Sequence, residues 1–567
     1  AINSTSQQGF YSAGGLLVNA SGSGVTSVLG RSQSYGTYIT SAATLRNSGT
    51  GNLSVVGISN STSAGNFRGT YLGSSLSIVN NGTSGNVDVA GYTNLSTASL
   101  NTEGLYLTGV LTVNASGAGS TNLTARSGSN DALSVLGTAS ISNSGSGNVV
   151  LNGSSTSTGA YRGVALLGTT ATINDTGTGN ISVLGTSSST GAGGGVAFSG
   201  TTTLVSNGSG TLNITGYSNS ASGAGVALGT ATTTNSGNGS LYVEGRSSSG
   251  SGISGAPSAI TNTGNGNVTY FARSATETGM SLSSLNLNNT ANGSVTLIGI
   301  TDSGASKNGL VVTGAAVIVN NGTSGNVSLS GYGNASSGAN SEGLKFGSTL
   351  TLNTSSAGNT VLTGFSAGND GIWTSGTTTL RNTGSGNLTL NGTTTATGRS
   401  GYYGSADMTY INSGSGNTSI SGKSLNGEGI SILTGTVEMV NNGSGNLSFA
   451  GTQQGSGAYR GINFAKAVTL TSSGSGSLSV VGATNSTTKS GIDFGDSVNN
   501  YLTSNGTGSS LSVSGYANFT SATTTNGIYW GGTALLQPAP TTTINTSNTG
   551  NLYLTGYSAA GTGLDVQ

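Results

Sequence analysis

One tandem phrase limits what this chain can fold into more than any other feature. "NSGTGNLSVVG" at 47–57 returns as "NSGSGNVVLNG" at 143–153, "NTGSGNLTLNG" at 382–392 and "NNGSGNLSFAG" at 441–451. Its closing glycine recurs at Gly30, Gly57, Gly91, Gly153, Gly185, Gly216, Gly245, Gly299, Gly331, Gly364, Gly392, Gly422, Gly451, Gly482, Gly515 and Gly556, with Ala125 and Ala272 in the same slot. That makes 18 units at spacings of 27 to 41 residues, with a mean of about 31. Fixed-slot repetition at such a period is the mark of a stacked-repeat architecture.

Each unit holds three short segments with apolar residues two apart, the pattern of half-buried strands. The first is rich in Thr and Leu and ends in Asn, as in "TTTLRN" (377–382). The second follows the G-S/T-G turn and reads N-L-x-V/L-x-G. The third reads G-I/L-x-F/L, as in "GLYL" (104–107), "GIWT" (371–374) and "GINF" (461–464). No helical period is sustained, and the 101 glycines oppose helix. The reading is all-β: a right-handed parallel β-helix (β-solenoid) of about 18 rungs. Identical slots stack at about 4.8 Å and would build a rod of roughly 85 Å. No linker or composition shift interrupts residues 1–567, so one continuous solenoid without clear caps is expected.

On this reading the glycines of the repeated turn provide the positive φ of a tight corner. Asn recurs at 52, 86, 122, 148, 180, 267, 326, 359, 387, 417, 446 and 551. These residues (Asn52, Asn86, Asn122, Asn148, Asn180, Asn267, Asn326, Asn359, Asn387, Asn417, Asn446 and Asn551) are expected to form a hydrogen-bonded structural ladder. "IVNNGTSGNVDVAGYTN" (78–94) returns as "IVNNGTSGNVSLSGYGN" (318–334), a block duplication displaced by 240 residues.

The chain has no Cys and no His, which removes disulfides, thiolate nucleophiles, Ser-His-Asp triads and the usual zinc ligands. Fifteen basic residues balance fifteen acidic ones, so no net field draws nucleic acid or anionic lipid. No apolar run is long enough for a transmembrane helix. No catalytic residue, metal ligand or cofactor is expected.

Three patterns invite a functional reading. Glu103, Asp131, Glu342, Asp370 and Glu428 share the slot before the third strand with Arg68, Arg162 and Arg460. Paired acids there would suit glycoside cleavage or calcium, whereas the structural reading is a variable, solvated strand entrance. An aromatic follows the closing glycine at Tyr92, Tyr217, Tyr332, Phe365, Tyr516 and Tyr557. Tyr332, Phe365, Tyr516 and Tyr557 form adjacent pairs and are the candidate ligand contacts, though packing over the corner explains them as well. Threonine triplets at 201–203, 232–234, 377–379 and 541–543 suggest the flat hydroxyl array of an ice-binding face, but they read as not lying in consecutive turns, and a Thr-rich strand face is ordinary β-propensity.

The tandem G-S-G-N-L-x-V-x-G phrase resembles the repeats of filamentous-haemagglutinin-like and autotransporter-passenger bacterial adhesins. The resemblance spans residues 1–567 and implies export to the bacterial cell surface and a part in adhesion, aggregation or matrix. The expected function is an extracellular, non-enzymatic structural protein, a surface fibre or adhesin stalk whose partners are surface glycans or neighbouring cells. The alternatives are a carbohydrate-binding adhesin module and a β-helix polysaccharide lyase or hydrolase. The sequence opens ("AINSTSQQGFY") before a third strand and closes ("TGLDVQ") within one. End-to-end stacking into filaments, or continuation of a longer rod, is the matching expectation.

Overall fold

The computed structural model describes residues 2–4, 7–61, 65–94, 101–335, 341–495, 499–518, 525–530 and 542–566. Among them there is no helix, and the chain forms a β-solenoid of about 16 turns of roughly 31 residues. Two compact units, Ala1–Ser281 and Leu282–Gln567, are each built on the same plan.

One turn of the second unit illustrates the plan. A five-residue strand, Leu350–Thr354, leads through a Gly/Ser turn to a seven-residue strand, Thr360–Ser366. A loop then leads to a three-residue strand, Ile372–Thr374, and a bend returns to the next five-residue strand, Thr378–Asn382. Buried and outward residues alternate along all of them, as the period-2 sequence pattern requires. Pairing runs from turn to turn, parallel and in register. Gly153 lies opposite Gly185 in the first unit, and Gly364 opposite Gly392 in the second. The seven-residue strands make one sheet, and the three- and five-residue strands make another. Between them lies a core of aliphatic columns, such as Leu329, Leu362 and Leu390, with buried rings in the second unit. Phe449, Phe464, Phe494 and Trp530 stack there with centroids 5.8, 5.5 and 4.7 Å apart.

The glycines act differently from the sequence expectation. Positive φ among described glycines occurs at Gly15, Gly229, Gly255, Gly304, Gly398 and Gly508, and of these only Gly508 lies in a copy of the repeated turn. A Cβ on Gly51, Gly85, Gly119 or Gly147 would instead fall on the carbonyl oxygen of the glycine one turn earlier. Glycine is needed there because backbone stacks directly on backbone. Positive φ serves a different place: Gly229 (φ 58°) and Gly255 (φ 105°) lie inside the ten-residue strands Val226–Asn235 and Ile253–Asn262.

Candidate functional site

Among the described residues, three polar columns and several outward aromatic groups are the candidates for chemistry. The outer Asn column follows the repeated turn. Each Oδ1 accepts the backbone N–H of the equivalent residue one turn on: Asn86 to Asn52 (3.0 Å), Asn180 to Asn148 (2.9 Å) and Asn359 to Asn326 (2.8 Å). Asn387, Asn417 and Asn446 continue it, donating to Asn359, Asn387 and Asn417. Where Ser stands in the column, its hydroxyl takes the same N–H, as Ser240 does from Asn267. Asn551 lies opposite Ser510. Asn122 is placed differently from the expectation. It faces Asp88, to whose Oδ1 it donates at 2.7 Å, while Ser120 holds the column position and donates its N–H to Asn86.

A second column was visible in the sequence only as the Asn that ends the first strand. Asn47, Asn80, Asn143, Asn235, Asn320, Asn382 and Asn441 in this column are fully buried. The Asn47 amide donates to the Gly51 carbonyl (2.9 Å) and accepts the Gly49 N–H (3.2 Å), and Asn382 does the same with Gly386 and Gly384. The Asn thus satisfies the backbone groups that a tight, buried turn strands. Asp175 stands in this column, and its burial away from water pushes its carboxyl up to about 6.

The third column corrects the solvated-entrance reading. Glu103, Asp131, Glu342 and Asp370 are all buried, and Glu428 is half-buried. Burial is offset by pairing along the axis. Arg68 Nε meets Glu103 Oε2 at 2.6 Å, and the Arg162 guanidinium lies 3.6 Å from Asp131. Arg460 bridges Glu428 (3.4 Å) and Asp493 (2.5 Å). Backbone N–H groups of the following turn complete the set, from Arg162 to Asp131 and from Ser400 to Asp370, both at 2.6 Å. Desolvation still outweighs these partners for Asp131 and Asp370, whose carboxyls are pushed up to about 6, and it also raises Glu342 and Glu428.

The aromatics divide by position. Tyr332 faces Phe365 and Tyr516 faces Tyr557 across the long-strand sheet, half-buried except for the exposed Tyr557. The sequence reading passed over a stronger aromatic column at the outward position of the three-residue strands. Tyr11, Tyr38, Tyr71 and Tyr106 stack at 5.7, 4.7 and 5.8 Å with planes 15–17° apart. Arg68 lies 4.0 Å from the Tyr106 centroid. The signal was there, in the x of G-x-x-x in successive units, but a strand of three residues gives too short a pattern to single it out. In the second unit the same position carries Lys345, Trp373 and Tyr403, beside the acids of the third column. As for the threonines, triplets 201–203 and 232–234 do lie in consecutive turns, contrary to the expectation, but two residues out of step, with Thr203 opposite Thr232. Thr202 and Thr233 are buried, which breaks up the array, and Thr541 lies outside the described residues.

Among the described residues no group of three or more acidic side chains could hold a metal ion. Among these same residues no helix is long and apolar enough to cross a membrane. Comparison with protein-family models, curated proteins and solved structures gives no match.

Proposed function

We propose that the chain is a non-enzymatic structural protein of the cell exterior, a solenoid stalk of the surface-adhesin kind. The observation that carries this reading is the use of the polar side chains. Outer Asn residues, buried Asn residues and the Arg–carboxylate pairs all bond from one turn to the next or within a turn. Residues spent in this way lengthen and stiffen a repeat scaffold, which is what a stalk requires. The absence of Cys and His removes thiolate and Ser-His-Asp chemistry, which fits a scaffold.

Immunogold microscopy with antibody to the purified chain tests the location: label on surface fibres of the producing cells is expected, and label confined to the cytoplasm refutes it. Incubating the purified chain with neutral and uronic-acid polysaccharides tests the absence of catalysis. New reducing ends or unsaturated uronates would refute that half of the reading.

A further inference from the structure

A cleft of about 330 Å³ opens on the outer side of the three-residue strands in the second unit. Its walls include Glu342, Asp370, Glu428, Trp373, Tyr403 and Arg399. This volume lies at the small end of the range of ligand pockets. In the first unit the column at the same strand position closes on itself: in the Tyr11–Tyr106 stack each ring covers the face of the next. Here the stack breaks. Tyr403 tilts 66° from Trp373 with centroids 6.1 Å apart, which leaves rings in two orientations beside a row of carboxylates.

Two polar atoms in this wall are buried without a partner in the chain. One is Glu342 Oε2, on a residue that is 0% exposed, and the other is Trp373 Nε1. They are opposite in kind, an acceptor and a donor. Hydroxyls are neutral groups that can answer either, since each can donate or accept. The charges narrow the ligand further. The Lys345 ammonium already sits 3.8 Å from the Trp373 centroid and 3.7 Å from Glu342 Oε1. An organic cation would have to displace it from both. An anion would face Glu342, Asp370 and Glu428 together, three carboxyls against the one guanidinium of Arg399 in the wall. An uncharged, hydroxyl-rich ligand with an apolar ring face meets neither obstacle.

We propose that this cleft binds a neutral carbohydrate, one or two pyranose units of a glycan. Asp370 and Glu428 accept its hydroxyl protons, and Trp373 and Tyr403 pack against its C–H face. The assignment is independent of where the protein resides. It differs from the corner rings Tyr332, Phe365, Tyr516 and Tyr557, which lie on the long-strand sheet.

The chain's two tryptophans make the test direct. Trp530 is a core ring stacked on Phe494, so Trp530→Phe preserves the stack and leaves Trp373 as the sole indole reporter. The full chain carrying this change is titrated with methyl glycosides of glucose, galactose, mannose and N-acetylglucosamine, and with glucosamine and glucuronate as charged comparators. A saturable change in Trp373 emission with at least one neutral glycoside is expected. Asp370→Asn and Glu428→Gln, which keep side-chain size, should each weaken it about tenfold while circular dichroism is unchanged. Three results overturn the proposal: no response to any neutral glycoside up to its solubility, a response confined to the charged sugars, or a response that both amide variants leave intact.

Discussion

Asp175 tests the logic of the buried Asn column most sharply. It lies opposite Asn143 in one neighbouring turn and Ser206 in the other, with no exposed surface. Its Oδ1 accepts the Gly177 N–H at 3.3 Å, and its Oδ2 has no partner. Asn47 and Asn382, at equivalent positions, donate to the carbonyl four residues on, and an ionised aspartate has no proton to give Gly179. Raising the carboxyl from 3.8 to about 6 costs up to about 3 kcal/mol at neutral pH, at about 1.4 kcal/mol per pH unit. The sign follows from the folded value lying above the unfolded one. The folded state holds the extra proton between about pH 4 and 6, so stability is full below that window and lost as pH rises through it.

Asp175→Asn removes the penalty and restores the donor. It should stabilise the local fold by up to about 3 kcal/mol at neutral pH and by little near pH 4, where the wild type is protonated. Because solenoid turns open locally, the assay is native-state hydrogen exchange at Asn207 and Gly208, whose N–H groups donate to the Asp175 carbonyl at 2.7 and 3.1 Å. Equal protection of the two proteins at both pH values, or weaker protection in the variant at neutral pH, would refute the reasoning.

Three further outcomes are expected. Arg68→Met strands the buried Glu103 carboxylate and should cost about 3–5 kcal/mol, much of which the double change with Glu103→Leu restores; denaturant midpoints of the three variants check this. Leu388→Asp puts a charge at a fully buried position between long strands, and at neutral pH should lose several kcal/mol and become sensitive to limited proteolysis around residues 360–420. Gly386→Ala places a methyl group on the Gly358 carbonyl oxygen and should cost about 1–3 kcal/mol, read as faster exchange of the amides of the adjacent turns.

Strand content, turn period and parallel register were legible in the sequence because they rest on alternation and on slots that repeat. Leu388 and Leu390 point inward in any strand that has one dry face, and a stack of equal turns brings Gly364 opposite Gly392. The outer Asn column followed from spacing alone, and Asn122 was misplaced because it lies two residues from the position that the closing residue Ala125 defines. What the sequence left undecided depends on the distance between segments far apart in the chain. Glu103 reads as a surface acid until Arg68, 35 residues earlier, closes on it in the neighbouring turn. Asp370 and Trp373 read as a variable loop and a strand tip until the coil brings Glu342 and Tyr403 beside them to form one cleft. Composition and period determine that such a chain must stack. Only the coiled backbone decides which polar side chains leave water and meet, because burial and pairing belong to neighbours along the axis rather than along the chain.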